Sequence, residues 1–152
     1  MNELIVIGAG AAGLLAAGTA AREGIQTLLL EKNPKVGRKI VITGKGRCNV
    51  TNNCDEKTFI DHIVTNPRFM YAAIKAFPPP KLMELVEAQG TKLKTERGAR
   101  VFPVSDKSFD IVDALLKYVK TGGVKIRFDT PIERITRTEK GFTIVSGSES
   151  FE

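Results

Sequence analysis

At 152 residues the chain is long enough for one domain with a real core, and its 42% hydrophobic and 26% charged residues are ordinary for a globular protein. The formal net charge of +6 suits phosphate-bearing ligands, but no Trp is present and aromatic residues do not alternate with basic ones, so no specific nucleic-acid partner is expected. Two cysteines and one histidine cannot build a structural zinc site or a disulfide scaffold, and no metal is expected.

The chain opens with a strand at about residues 3–7, carrying Leu4-Ile5-Val6-Ile7. Gly8, Gly10 and Gly13 follow as G-x-G-x-x-G, then a helix over about 11–23 and a second strand over about 26–30 that runs into Glu31. Strand, glycine turn, helix, strand and terminal acid, in that order, form the unit that holds a dinucleotide. Gly8 permits a tight turn, Gly10 lets the backbone approach a pyrophosphate, and Gly13 lets the helix pack close to the sheet. The helix N-terminus offers unpaired N–H groups to the diphosphate. Glu31 lies eighteen residues beyond Gly13, where its carboxylate can accept hydrogen bonds from ribose hydroxyls. The apolar stretch from Leu4 to Ala21 is not read as a signal peptide or membrane span. Glu3 stands where a basic region should be, glycines interrupt the run, and Arg22-Glu23 follow. A cytoplasmic protein with no membrane partner is expected.

Residues 31–54 read as a long polar loop, anchored by Ile40-Val41-Ile42, and its length marks it as functional. A short helix is predicted over 55–64. Another starts at Asn66-Pro67, with Asn66 as N-cap and Pro67 in the first helical position. Phe77-Pro78-Pro79-Pro80 stops it, and a further helix over about 80–89 ends at Gly90. The apolar stripes of both helices are read as core. Two extended pieces, about 91–95 and 99–102, flank Arg97-Gly98. Ser108 caps a helix to about residue 120, which Gly122-Gly123 terminates. Val124–Phe128 reads as a strand. Pro131–Thr136 and Phe142–Val145 alternate in polarity around a Glu139-Lys140-Gly141 turn and form an antiparallel pair, with a third strand at the end of the chain.

The extended pattern G-x-G-x-x-G-x3-A-x6-G is filled by Gly8, Gly10, Gly13, Ala17 and Gly24. With VGRKIVITGKGRCNVTN at 36–52 and ARVFPVSDKSFDIVDALL at 99–116, the chain resembles the BaiN-like family of NAD(P)/FAD-dependent oxidoreductases. The resemblance covers essentially the whole chain, and only the N-terminal part of such a flavoprotein. It implies an α/β fold: a Rossmann-type FAD-binding domain, with a parallel sheet and flanking helices, plus a small antiparallel β-meander, and with the family's C-terminal elements absent. The expected organisation is one domain over 1–152, divided into a dinucleotide-binding and flavin-loop part (1–54), a helical part (55–107) and a helix, strand and meander part (108–152).

The same resemblance implies roles for individual residues. Gly8, Gly10, Ala12 and Gly13 line the FAD pyrophosphate, Glu31 binds the adenosine ribose, Lys32 lies beside the adenine end, and Arg38-Lys39 lie near ribose or phosphate. Gly46, Arg47, Cys48 and Asn49 approach the flavin, Arg47 being positioned to stabilise the reduced ring. Ile132 offers backbone groups to adenine, although a place in the strand core explains it equally well. FAD is the implied cofactor and NAD(P)H the co-substrate, with a small molecule as electron acceptor and no catalytic side chain assigned. Three alternatives stand beside this reading. One is a non-catalytic dinucleotide-binding module. Another is a flavin disulfide reductase using Cys48 and Cys54, whose five intervening residues differ from the four of such enzymes. An RNA-associated flavoprotein is a third, prompted only by the positive charge. Lys45-Gly46-Arg47 is a fragment of a P-loop without the full pattern, and His62, beside Ile60 and Ile63, is read as structural. The open edge expected of a parallel sheet cut before its last strand predicts a homodimer or docking to the rest of a longer protein.

Overall fold

The computed structural model describes residues 2–152. In chain order its elements are β1 (Leu4–Ile7), α1 (Ala11–Arg22), β2 (Thr27–Leu30), β3 (Thr51–Asn52), α2 (Glu56–Asp61), α3 (Pro67–Ala76), α4 (Pro79–Ala88), β4 (Leu93–Glu96), β5 (Arg100–Pro103), α5 (Ser108–Thr121), β6 (Lys125–Arg127), β7 (Arg134–Thr138), β8 (Gly141–Ser146) and β9 (Glu149–Phe151). The described residues form two compact units, one of residues 2–39 and 115–152, the other of residues 40–114. The α/β class expected from the sequence is present.

In the first unit a parallel sheet has the order β1-β2-β6, with Ile5 opposite Leu28 and Ile7 opposite Leu30. Side chains alternate across a sheet, so Ile5, Leu28 and Leu30 share one face while Val6 and Leu29 share the other. The meander β7-β8-β9 covers the first face: Ile144 packs with Leu28 and Leu30, and Ile5, Ile132 and Phe151 close around them. Helix α1 takes the opposite face. Its Leu14 and Ala17 are fully buried, and Gly13 comes against Val6. All four residues of β2 are buried, which is why this short strand is an unbroken apolar run after Thr27.

In the second unit β3 and β4 flank β5 in an antiparallel sheet, with Thr51 and Thr95 both opposite Val101. Val101 and Phe102 are buried at its centre. The stretch expected to be loop, 31–54, contains more structure than its composition suggests. Ile40–Gly46 forms two tight 3-10 turns broken at Thr43-Gly44-Lys45, and Val50 N–H donates to Val101 C=O at 2.9 Å before β3 begins. Strand β3 is only two residues long, too short for a period-2 pattern to announce it.

Asp55 caps α2, its carboxylate accepting the Thr58 N–H at 2.7 Å. Asn66 stands at the cap position of α3 but does not cap with its side chain. Its backbone is left-handed (φ +50°), whereas side-chain capping needs an extended residue there. Pro79 and Pro80 occupy the first turn of α4, where a missing N–H costs nothing. The Ser108 hydroxyl donates to Val41 C=O at 3.2 Å, tying the start of α5 to the 3-10 segment. Among the described residues no helix is long and apolar enough to cross a membrane, and no cluster of three or more His, Cys, Asp or Glu side chains is placed to hold a metal.

Candidate functional site

The glycine turn sits between β1 and α1 in the first unit. Gly8 has φ +95°, a left-handed conformation that favours glycine, and its N–H donates to Leu30 C=O at 2.8 Å. Gly13 is required for a different reason: a Cβ there would lie 1.9 Å from the Gly8 carbonyl oxygen and 3.5 Å from Val6 Cγ1. Gly10 is exposed, extended (φ −81°, ψ −174°) and forms the N-cap of α1 without a side-chain hydrogen bond. A Cβ on Gly10 would project into open space, with no protein atom within 4 Å. The first intrahelical bond is Leu14 N–H to Gly10 C=O, so the N–H groups of Ala11, Ala12 and Gly13 point out of the helix end, and no acid occupies this turn to neutralise it. The turn is a positively polarised helix end with open space over Gly10, which a side chain at that position would enter. These are the properties a pyrophosphate needs.

Glu31 leaves β2 directly beside this turn and is only 7% exposed. Its Oε2 accepts the Ala9 N–H at 2.7 Å, and its Oε1 accepts both the Asn33 N–H (2.9 Å) and the Asn33 side-chain amide (2.5 Å). Burial opposes ionisation, but these donors, together with the charge of Lys32, outweigh it and hold the carboxyl below the ordinary glutamate range. Glu31 is therefore an anion at neutral pH. Arg38 donates to Asn33 Oδ1 at 2.6 Å, and Gly37 N–H donates to Ala9 C=O at 2.8 Å, which closes the segment after β2 onto the glycine turn. Lys32 and Lys39 are exposed beside it. Ile132 is half-buried against Leu28, Leu30 and Ile144, so its side chain has a core role.

Of the expected site residues, Gly8, Gly10, Ala12, Gly13, Glu31, Lys32, Arg38, Lys39 and Ile132 belong to the first unit, and Gly46, Arg47, Cys48 and Asn49 to the second. The second set lies on a tightly wound loop. Lys45 and Cys48 have φ near +60° on either side of Arg47, and Gly46 has φ +83°. Arg47 lies 4.1 Å over the Phe102 ring and donates to Glu96 (2.9 Å) and Asp106 (3.2 Å), while Lys94 reaches Asp106 at 2.7 Å. Glu96 and then Asp106 push the Arg47 guanidinium above its already high range. Arg47 depresses the Glu96 carboxyl first, and Lys94 does the same for Asp106. Cys48 and Cys54 are free thiols, and burial raises both, which works against the thiolate that disulfide exchange requires.

Asn33 donates two of the three hydrogen bonds that the Glu31 carboxylate accepts, and it is not among the residues expected from the sequence. The available signal was an Asn immediately before Pro34, two residues beyond the acid, where Asn commonly folds back on its own backbone. The Glu96 and Asp106 partners of Arg47 lie 49 and 59 residues away and left no local trace.

The family model for the HI0933-like protein Rossmann domain matches residues 2–152. The chain belongs to that family. It is similar to a 3-dehydro-bile acid delta(4,6)-reductase of Clostridium scindens, 31% identical over 99% of this chain and 37% of the relative. It is also similar to the ribosomal RNA dihydrouridine synthase of Escherichia coli, 32% identical over 93% of this chain and 35% of that one. The chain thus spans little more than a third of the length of these relatives. Among solved structures, the 3-ketosteroid-delta4-(5alpha)-dehydrogenase of Rhodococcus jostii superposes with a TM-score of 0.71 at 14% identity, over 98% of this chain and 43% of that protein, a likeness of fold.

Proposed function

We propose that this chain is the dinucleotide-binding part of a flavin-dependent reductase, and that it holds the adenosine diphosphate half of FAD. The observation that carries the reading is the buried Glu31 carboxylate, fixed by Ala9 N–H at the rim of a glycine turn in which a Cβ at Gly10 would meet open space. Gly8, Gly10, Ala12 and Gly13 would face the pyrophosphate, Glu31 the ribose hydroxyls, and Lys32, Arg38 and Lys39 would supply positive charge nearby. Ile132 would complete the adenine side. Gly46, Arg47, Cys48 and Asn49 are proposed for the flavin end, where a permanently charged Arg47 suits a reduced, anionic ring.

Bound FAD would supply the redox step, accepting a hydride from NADH or NADPH and delivering electrons to a small-molecule acceptor. Within the chain, Glu31 binds and orients, the helix end stabilises phosphate charge, and the acidic partners of Arg47 hold that side chain in place. The two relatives are a reductase and a dihydrouridine synthase by name, which supports reduction of an unsaturated substrate by the whole protein.

The test is a titration of the chain with FAD, following quenching of flavin fluorescence, with ADP as competitor. Saturable quenching reversed by ADP is expected. Absence of binding by both FAD and ADP overturns the reading. Bleaching of the bound flavin by NADH or NADPH then decides between the reductase and a non-catalytic nucleotide-binding module.

A further inference from the structure

Resting on the reading of Glu31 as the ribose acceptor, we infer that Asn33, braced by Arg38, is a positioning residue that occupies one oxygen of the Glu31 carboxylate, offers the other to the ribose, and so selects adenosine dinucleotides with an unmodified 2′-hydroxyl.

The argument is one of acceptor capacity. A carboxylate oxygen accepts about two hydrogen bonds in its plane. Oε1 has both filled by Asn33, from its main-chain N–H at 2.9 Å and its amide at 2.5 Å. Oε2 has one, from Ala9 N–H at 2.7 Å, and keeps one acceptor position at the glycine turn. An amide can present either its oxygen or its nitrogen, and only the nitrogen suits Glu31. Arg38 makes that choice by donating to Asn33 Oδ1 at 2.6 Å, which turns the NH2 group toward the carboxylate. The backbone is pinned as well, since Asp129 N–H donates to Asn33 C=O and Gly37 N–H to Ala9 C=O.

The charge around Glu31 points the same way. Its neighbours are Lys32 on its own segment, Arg38 through Asn33, and Arg127 and Asp129 from the β6 end, whose Arg127 C=O accepts the Glu31 N–H. The Arg127 guanidinium is drawn away to Glu149 at 2.7 Å. The glycine turn contributes no charged side chain. A 2′-phosphate, with about two negative charges, would meet the Glu31 anion. Dinucleotide sites that accept that group place an arginine on it, and here Arg38 is already engaged with Asn33.

The experiment titrates ADP-ribose and 2′-phospho-ADP-ribose calorimetrically into the wild-type chain, Asn33→Ala and Arg38→Ala. It also follows the Glu31 side-chain carboxyl by carbon NMR across an acid titration without ligand. The wild type should prefer ADP-ribose by about tenfold or more, the size of one charge-assisted hydrogen bond. Asn33→Ala should lose about tenfold on ADP-ribose and little on the 2′-phosphate, and Glu31 should titrate at higher pH. Arg38→Ala, an exposed change that leaves the core untouched, should move both readouts the same way by less. Equal losses on both nucleotides, or an unmoved Glu31 titration in both variants, would overturn the role of Asn33. Failure of the wild type to bind either nucleotide would instead overturn the ribose reading, and the selection with it.

Discussion

A Cβ on Gly13 would stand 1.9 Å from the carbonyl oxygen of Gly8, whereas a Cβ on Gly10, three residues earlier on the same turn, would touch nothing. The two glycines of one motif therefore serve different ends, one the fold and the other the ligand surface. Gly13→Ala should destabilise the chain by about 3 kcal/mol, because the obstructing atom is backbone and cannot swing aside. Its thermal midpoint should fall by about 6–12 °C. Gly10→Val should unfold at nearly the wild-type temperature, since φ −81° and ψ −174° suit a β-branched residue, yet it should no longer bind FAD or ADP. Paired thermal melts and nucleotide titrations check both halves. A Gly10→Val chain that still bound nucleotide would remove the pyrophosphate from this turn.

Glu31 links the site to acid stability. Its carboxyl is held below the ordinary glutamate value in the folded chain. Its stabilising contribution is therefore complete above about pH 4.3 and is lost as pH falls through the folded value. Glu31→Gln places an NH2 group against one of the three N–H donors that now point at the carboxylate. It should cost about 1–3 kcal/mol at neutral pH. It should also flatten the acid side of the stability curve, because this group no longer titrates. Urea unfolding of both chains from about pH 7 to about pH 3 reads the effect, and a constant gap across that range would contradict it.

The local parts of this fold were legible from the residues, and the long-range parts were not. The β1-α1-β2 unit was readable because Leu4–Ile7, the glycine spacing and Glu31 each state a local requirement, and all of them agree. The β7-β8-β9 meander was readable from alternation and a short turn. Strand β3 was not, because two residues carry no period and its pairing is set by Val101, fifty residues away. Asn66 carried the composition of a cap but a left-handed backbone. At the site, Glu31 follows from spacing and Asn33 is marked only by its place before Pro34, while the acidic partners of Arg47 lie 49 and 59 residues away and leave no local trace.

The two cysteines give a direct check on the disulfide alternative. Cys48 is 5% exposed and Cys54 is half-buried, and burial raises both thiols. A maleimide at neutral pH should label Cys54 slowly and Cys48 only after denaturation. Ready formation of an internal disulfide under mild oxidant, seen as loss of two thiols without dimer, would revive the redox-pair reading.

The packing of α1 on α5 supplies the last test, on a contact that no motif announced. A Cβ on Gly18 would fall 2.5 Å from Cδ1 and Cε1 of Tyr118. That ring is not free to yield: Arg22 lies 4.1 Å over its face, and its hydroxyl is 3.2 Å from Thr19 Oγ1. Gly18→Ala should therefore cost about 1–3 kcal/mol despite the better helix propensity of alanine, which favours the substitution by about 1 kcal/mol. In a Tyr118→Ala background the obstruction is gone and only the propensity gain remains, so Gly18→Ala should become stabilising. The coupling between the two positions should exceed about 1 kcal/mol in a double-mutant cycle read by urea unfolding. Additive effects would mean that the ring and the glycine do not meet, and that α1 lies elsewhere on α5.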